Sequence, residues 1–551
     1  MFLKGLSLLA VAGGAQFAIA FRVVTAEEAW SAINPGWNLG NTLDAIPDET
    51  SWGNAAVVES TFDEIKRAGF KSVRIPVTWT DHFASQAPDY IVNPAWMNRV
   101  ETVVDWSLSK GFWVVLNVHH DSWQWADFTI EPETLEERKT KFEKLWVQIA
   151  DRFKSKSEKL ILESLNEPAG SSSQENAEQY NDANQRFVNI VRSSGGYNAD
   201  RLLTLPGLNT NIQRTVDWFV EPANASNYIL HVHDYDPWDF VSTSWGRTFW
   251  GTAADKQAIE DTFIALQTKF QAPAMIGEWG LTGTSVENGA AWNYFDFFVR
   301  TSKKYELGAQ LWDNGNDHYD RVNKKWRDPV KLAIIQNAVR DIPNTLPAYD
   351  QLATIWVKKG QSAGAAAQVN LEYNGNVLRS VVNNQGSMLK KGTDYITTAT
   401  GFNLTSAYFD KVTSNAAVGV RDTLTVKSSA GIQLPLDVTV YDTPTVAQNV
   451  YELTSTADLS IPVVWNGAKL ATVKAVRKDG VYLKDDWTQW NGPLQQARIN
   501  WGDFGTNGNN LVLYSSILNT VKSSGQAVDF TFEFWPRTDQ TNNVTVTVSV
   551  V

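Results

Sequence analysis

Leu160-Ile161-Leu162-Glu163-Ser164-Leu165-Asn166-Glu167-Pro168 decides how this chain is read. An apolar run leads into Asn-Glu-Pro, and Pro168 biases the glutamate before it away from helical geometry. The run reads as a short buried strand whose end carries a carboxylate into a loop. A second stretch has the same plan: Ala274-Met275-Ile276-Gly277-Glu278-Trp279-Gly280.

Outward from these two runs, residues 21–344 alternate strand-like and helical patterns. Residues 61–68 read as a helix stopped by Gly69, and Ser72-Val73-Arg74-Ile75-Pro76 follows as a strand. Trp96, Val100, Val103 and Val104 keep helical spacing, Gly111 stops them, and Trp113-Val114-Val115-Leu116-Asn117 is the next strand. Further strands fit 36–40, 202–205, 228–231 and 307–311. Repeated β/α units of this length build a parallel barrel or an open doubly wound sheet. No glycine-rich phosphate loop follows the first strand. Instead Asn38, Arg74, His119, Glu167, His233, Glu278 and Trp312 end successive strands. That pattern predicts a (β/α)8 TIM barrel of class α/β, whose strand ends converge on one functional face.

At Ile342-Pro343-Asn344-Thr345-Leu346-Pro347 the helical periodicity stops, and alternating Val, Thr and Leu take over. Two small all-β immunoglobulin-like sandwich domains are expected, 345–445 and 446–551. They read as an internal repeat. Tyr373-Asn374-Gly375, Leu378, Val381, Gly386 and Leu389 match Trp465-Asn466-Gly467, Leu470, Val473, Gly480 and Leu483. Asn-Gly favours a tight hairpin turn. The second copy alone carries an inserted stretch near 488–508, with Trp487, Trp490 and Trp501 in or beside it. Tryptophans in a polar surface insertion point to binding. The first copy, with Trp356 as its one tryptophan, is expected to act as a spacer.

Residues 1–20 read as a secretory signal, with Lys4, an apolar stretch and Ala18-Ile19-Ala20, so a secreted, extracellular protein is expected. The net charge of −12 argues against nucleic acid. The apolar stretch is too short for a membrane span. No cysteine occurs, and Asn224, Asn403 and Asn543 open glycosylation sequons. A monomer is expected.

Two carboxylates on parallel strands can flank one glycosidic bond, one as acid and one as attacking group, if their environments separate their pKa values. Arg74 is placed to hold one of them ionised, Tyr235 to donate to it, and Asn166 to hold a sugar hydroxyl. His119, His120, His231 and His233 sit at two strand ends. Adjacent residues of a strand point to opposite sides, so His119 and His120 are not expected to share a metal, and no metal or cofactor is expected. His119 and His233 are instead expected to bond sugar hydroxyls. Trp312 is placed to stack under a sugar; Trp123, Trp125 and Trp238 lie in loops of the same face.

Together these stretches resemble glycoside hydrolase family 5, the retaining cellulase-type barrel enzymes. The resemblance rests on Gly36-Trp37-Asn38-Leu39-Gly40-Asn41-Thr42-Leu43, Val73-Arg74-Ile75-Pro76-Val77, Leu116-Asn117-Val118-His119-His120-Asp121, Asn166-Glu167-Pro168, Val232-His233-Asp234-Tyr235, Ile276-Gly277-Glu278-Trp279-Gly280 and Leu311-Trp312-Asp313-Asn314-Gly315. It implies Glu167 as acid/base and Glu278 as nucleophile, supported by Arg74, His119, Asn166, His233 and Tyr235. Substrate contacts are expected from Asn38, Trp123, Trp238, Trp312, Trp487, Trp490 and Trp501. It further implies an endo-β-1,4-glucanase acting on cellulose, mixed-linkage glucan or xyloglucan, with mannanase, xylanase or a non-catalytic binding protein as alternatives. The middle segment resembles the X2 module and the last resembles carbohydrate-binding module family 46.

Overall fold

The structure, a computed structural model, describes residues 21–281, 286–361, 367–413, 417–484 and 487–550; the expected leader at 1–20 lies outside the described residues. Eight strands close a parallel barrel in chain order: β1 (Gly36–Asn38), β2 (Ser72–Ile75), β3 (Trp113–Asn117), β4 (Leu160–Glu163), β5 (Leu203–Asn211), β6 (Tyr228–His233), β7 (Ala274–Trp279) and β8 (Leu307–Leu311). β1 pairs with both β2 and β8, which completes the ring. Strands covered by side chains inside and by helices outside are near-continuous apolar runs. Val115, Ile161, Ile229 and Met275 cluster with Ala29 and Ile33, so the helix Ala26–Ala32 closes the N-terminal end of the barrel. Thr25 and Glu28 form a capping box that starts this helix.

Register shifts interrupt the pairings of β5 with β6, β6 with β7, and β7 with β8 toward their C-terminal ends. Such irregularities re-aim side chains beside functional sites. The shift between Val232 and His233 sets His233 opposite Glu278. Two expectations need correction here. β4 ends at Glu163, so Glu167 lies in the loop four residues beyond it. His119 and His120 lie past the end of β3, at a short 3-10 turn, where strand alternation no longer applies and their rings meet edge to face at 4.4 Å.

Beyond the barrel lie two sandwiches of the same design. In the first, Leu346–Pro347, Gln368–Glu372, Gly401–Leu404 and Tyr395–Thr397 form one sheet in that order. Thr354–Lys358, Gln433–Tyr441, Gly419–Ser428 and Leu378–Val382 form the other. The terminal sandwich repeats this with Thr445–Val446, Leu459–Val464, Asn510–Leu513 and Phe504–Asn507, and with Val450–Leu453, Val544–Val550, Val528–Phe534 and Leu470–Arg477. Each second sheet holds a parallel pair at its edge. Each copy also contains a helix, Ser406–Thr413 and Ser515–Ser524, where an all-β fold is expected. Asn374-Gly375 and Asn466-Gly467 do not close hairpins. The strands around each turn belong to opposite sheets, because both sheets must face one core. Both asparagines still take left-handed backbone, φ 49°.

The three bodies are joined by named contacts. Glu287, before the barrel helix Asn288–Lys304, accepts from the N–H groups of Ala290 (2.9 Å) and of Ala353 in the middle sandwich (2.6 Å). Lys358 and Tyr441 of the middle sandwich reach Asp539 of the terminal one at 2.8 and 3.0 Å. The terminal sandwich also folds back on the loop after β6. Arg537 donates to Gly246 O (2.7 Å), Trp245 N–H donates to Asn500 (3.2 Å), and Gln495 donates to Asp239 (3.0 Å). Trp535 meets Phe249 edge-on at 5.7 Å.

Candidate active site

Arg74 is the hub of the barrel's C-terminal face. It is fully buried, and all five of its N–H groups are used. Nε and Nη2 grip the two oxygens of Glu163 at 2.9 and 2.7 Å. The other Nη2 proton goes to Asn166 Oδ1 (2.7 Å). Nη1 donates to Asn38 Oδ1 (3.0 Å) and to Glu278 Oε1 (2.7 Å). The expected pairing of Arg74 with a glutamate is therefore present at Glu278. The larger share of the guanidinium is held by Glu163, which the reading of the sequence left unassigned. Any polar last residue of a buried barrel strand is a signal for such a role.

Asn38 is a correction. It is fully buried, its amide donates to the carbonyls of Gly277 (2.9 Å) and Gln310 (3.1 Å), and its oxygen faces Arg74. It orients the arginine and has no free group for substrate. Gly277 is required on β7, since a Cβ there would stand 1.9 Å from Nε2 of His231 on the neighbouring β6. His231 itself is wholly buried and lies beneath the site, 3.7 Å from Glu163.

Glu278 receives Arg74 on one oxygen and the Tyr235 hydroxyl on the other (3.0 Å). Glu167 faces it from the loop after β4, held by His233 Nδ1 at 2.9 Å. Oxygens of the two carboxylates and a ring nitrogen of His233 all lie within 4.8 Å of one another. Burial pushes the Glu278 carboxyl up, as does the Glu167 charge, while His233 and Arg74 pull it down. Burial opposes ionisation of Glu167 too, but its hydrogen bond to His233 brings it below the usual range. Burial and the Glu278 charge keep the Tyr235 hydroxyl protonated and donating.

His119 is buried, and burial holds its ring neutral. Asn117 fixes its tautomer. The Asn117 oxygen accepts the Val77 N–H (3.0 Å), so Nδ2 is the end that faces Glu163 (2.8 Å) and His119 Nδ1 (3.0 Å). The His119 proton then sits on Nε2, 4.0 Å from Glu278. Asp44, His119 and His120 come close enough together to be tested as a metal site. There His119 presents an N–H on Nε2 while its Nδ1 is already occupied by Asn117, a poor ligand state.

Trp312 lies parallel to the His119 ring at 5.9 Å, with Gly40 beneath it. Around the opening, Trp123 (53% exposed) tilts against His120, and Trp238 (54%) stands edge-on to Tyr235. Trp125 is held by Asp121 (2.9 Å) and packs on Phe83, a supporting position. Trp52, exposed and packed against His120, was not singled out, because a lone tryptophan in a polar loop carries no periodic signal. Trp487, Trp490 and Trp501 are on the terminal sandwich, all strongly exposed. A groove of about 570 Å³ beside Trp501 is walled by Trp465, Phe504 and Tyr514.

Comparison with known proteins gives the family of the barrel and of both sandwiches. Residues 39–318 match the family model for cellulase (glycosyl hydrolase family 5). Residues 351–438 match the carbohydrate binding domain X2, and 442–551 match the family 46 carbohydrate binding domain. Endoglucanase B of Paenibacillus lautus is 35% identical over 468 residues, 82% of this chain and 80% of that protein. A tri-modular family 5 (subfamily 4) endo-β-1,4-glucanase from Bacillus licheniformis, solved with cellotetraose, superposes with a TM-score of 0.86. It is 38% identical and covers 96% of this chain and all of that one. A tri-modular endo-β-1,4-glucanase B from Bacillus halodurans gives 0.82 at 28% identity, covering 96% of this chain and 97% of that one. With the family match spanning half the chain and this paired-carboxylate face at its centre, the chain belongs to glycosyl hydrolase family 5 and is an endoglucanase with an X2 and a family 46 carbohydrate-binding domain.

Proposed function

We propose that the enzyme cleaves internal β-1,4-glucosidic bonds with retention, Glu278 attacking and Glu167 serving as acid and then base. The observation that carries this is the facing pair itself. Carboxyl groups about 5–5.5 Å apart suit double displacement, whereas an inverting pair leaves room for a water at roughly 6.5–9.5 Å. An oxygen of each carboxylate comes within 4.8 Å of the other, and this close facing supports the retaining reading.

In the first step Glu278 attacks the anomeric carbon while Glu167 protonates the departing oxygen. In the second, Glu167 takes a proton from water, which displaces the Glu278 ester. In the open cleft the pKa directions run against the first step, since Glu278 is raised and Glu167 lowered. A bound glucan reverses this by covering Glu167, the more open group, and excluding its water. Glu278 keeps its fixed cation and its Tyr235 donor, so ionisation settles there. His119 Nε2–H and the free amide of Asn166 donate to sugar hydroxyls, and Trp312 supplies an apolar floor.

Substrate breadth is inferred from the exposed tryptophans and from relatives. One, from Bacteroides ovatus, is a xyloglucan-specific endo-β-1,4-glucanase at 31% identity over 361 residues, 58% of this chain and 71% of that protein. We place cellulose, mixed-linkage glucan and xyloglucan within reach of this cleft, and infer that residues 1–20 direct export. The test is Glu278→Ala assayed on carboxymethyl-cellulose, mixed-linkage glucan, xyloglucan, mannan and xylan. Loss of turnover in a folded variant is expected, by about 10⁴-fold or more. Near-normal turnover refutes the role, and preference for mannan or xylan in the parent refutes the substrate class.

A further inference from the structure

We infer that Glu163 is a positioning residue for the reaction: one buried carboxylate clamps the cation that pairs with Glu278 and braces the Asn117 amide that orients His119. The inference rests on the reading of Glu278 as the attacking group.

Glu163 is the last residue of β4 and is wholly buried. Its Oε2 accepts Arg74 Nε (2.9 Å), and its Oε1 accepts Arg74 Nη2 (2.7 Å) and Asn117 Nδ2 (2.8 Å). Two parallel bonds of this kind fix the plane of a guanidinium as well as its position. With that edge of Arg74 clamped, Nη1 is delivered to Glu278 at 2.7 Å on the opposite side. A lysine or an unclamped arginine would not hold the two contacts at once.

The second arm runs through Asn117. Its oxygen is tied to the Val77 N–H, so the amide cannot turn over without stranding that donor. One Nδ2 proton goes to Glu163 and the other to His119 Nδ1. His119 therefore carries its proton on Nε2, on the side of Glu278. Removing the acceptor at Glu163 takes away one of the three contacts that hold this amide, leaving the Val77 and His119 bonds to position it alone.

A buried ion pair is weak evidence of stabilisation, because desolvation offsets much of the attraction. What this one supplies is orientation. Around Glu163 stand Arg74 from β2, Asn117 from β3 and neutral His231 from β6. Around Glu278 stand Arg74, His119, His233, Tyr235 and Glu167. Removing the Glu163 charge leaves Arg74 less neutralised, which favours ionisation of the carboxyls beside it.

The experiment compares Glu163→Gln and Glu163→Asp on cello-oligosaccharides, with kcat, KM, full pH profiles and thermal unfolding. Glu163→Gln is expected to lower kcat about ten-fold or more with KM within about threefold, and to move the acid limb of the profile to lower pH. Glu163→Asp keeps the charge and loses reach, so kcat falls while the acid limb stays near that of the parent. Parent-like kcat in either variant overturns the inference. So does a loss that tracks only the fraction unfolded, with an unmoved profile in Glu163→Gln. Should Glu163→Gln fail to fold, Glu163→Asp decides alone by its kcat. An active Glu278→Ala defeats the proposed function instead; an inactive Glu278→Ala beside a parent-like Glu163→Gln defeats only this inference.

Discussion

The middle and terminal sandwiches share strand order, an edge parallel pair, one helix and a left-handed Asn-Gly turn, yet they meet the rest of the molecule differently. The middle copy keeps Trp356 half-buried against Tyr441 and grips the barrel at its helix Asn288–Lys304. The terminal copy carries exposed tryptophans in and beside its insertion, and it meets the loop after β6 through Gln495 and Asn500 of that insertion and through Trp535 and Arg537. The same scaffold thus serves once as a bracket and once as a surface that reaches the catalytic barrel. The difference lies in the insertion and in the turn at Trp535 to Arg537, not in the core.

The largest effect that would sharpen this contrast is expected from undocking. Arg537 bonds Gly246 and Leu494 carbonyls and pairs with the buried Glu533, which Arg498 also contacts. Breaking such a buried pair costs about 3 kcal/mol. Arg537→Ala should lower activity on polymer several-fold while sparing short oligosaccharides, as should deletion of 446–551. Equal losses on both substrates would make the terminal sandwich a brace as well.

A smaller effect is expected at the middle joint. Burial pushes the Glu287 carboxyl up to about 7. A raised acid is neutral at low pH and costs stability as pH rises from its ordinary range through 7, by about 3 kcal/mol in full. Thermal unfolding should therefore occur at lower temperature at pH 8 than at pH 5, and Glu287→Gln should flatten that slope. An unchanged slope would remove Glu287 from the account. The smallest effect is expected from single tryptophans. Trp501→Ala should weaken polymer binding by about 0.5–1.5 kcal/mol, an aromatic contact's worth, whereas Trp356→Ala should leave it unchanged. A matching loss at Trp356 would end the distinction between the two copies.

Much of this was legible because the barrel repeats one unit and places chemistry at strand ends. Glu167, Glu278, Arg74, His119, His233, Tyr235 and Trp312 all meet on one face. The repeat of the sandwiches was legible for a similar reason, since equal spacings survive in equal folds. Two things were not. Leu160–Pro168 does not reveal which of its two glutamates ends the strand, since the apolar run breaks at Glu163, resumes at Leu165, and only the buried Arg74 partner shows that Glu163 stays inside. Nor does an Asn-Gly turn say whether its flanking strands pair or part, because that depends on which sheet covers the core.

The loop 238–250 has two faces. Trp238 stands by Tyr235, and Trp245 to Phe249 seat the terminal sandwich. For module exchange, the unit of transplantation is accordingly the sandwich plus this loop. A foreign binding module grafted at the chain end alone would inherit a tether without a socket, and a loop swapped alone would leave Arg537 facing the wrong carbonyls.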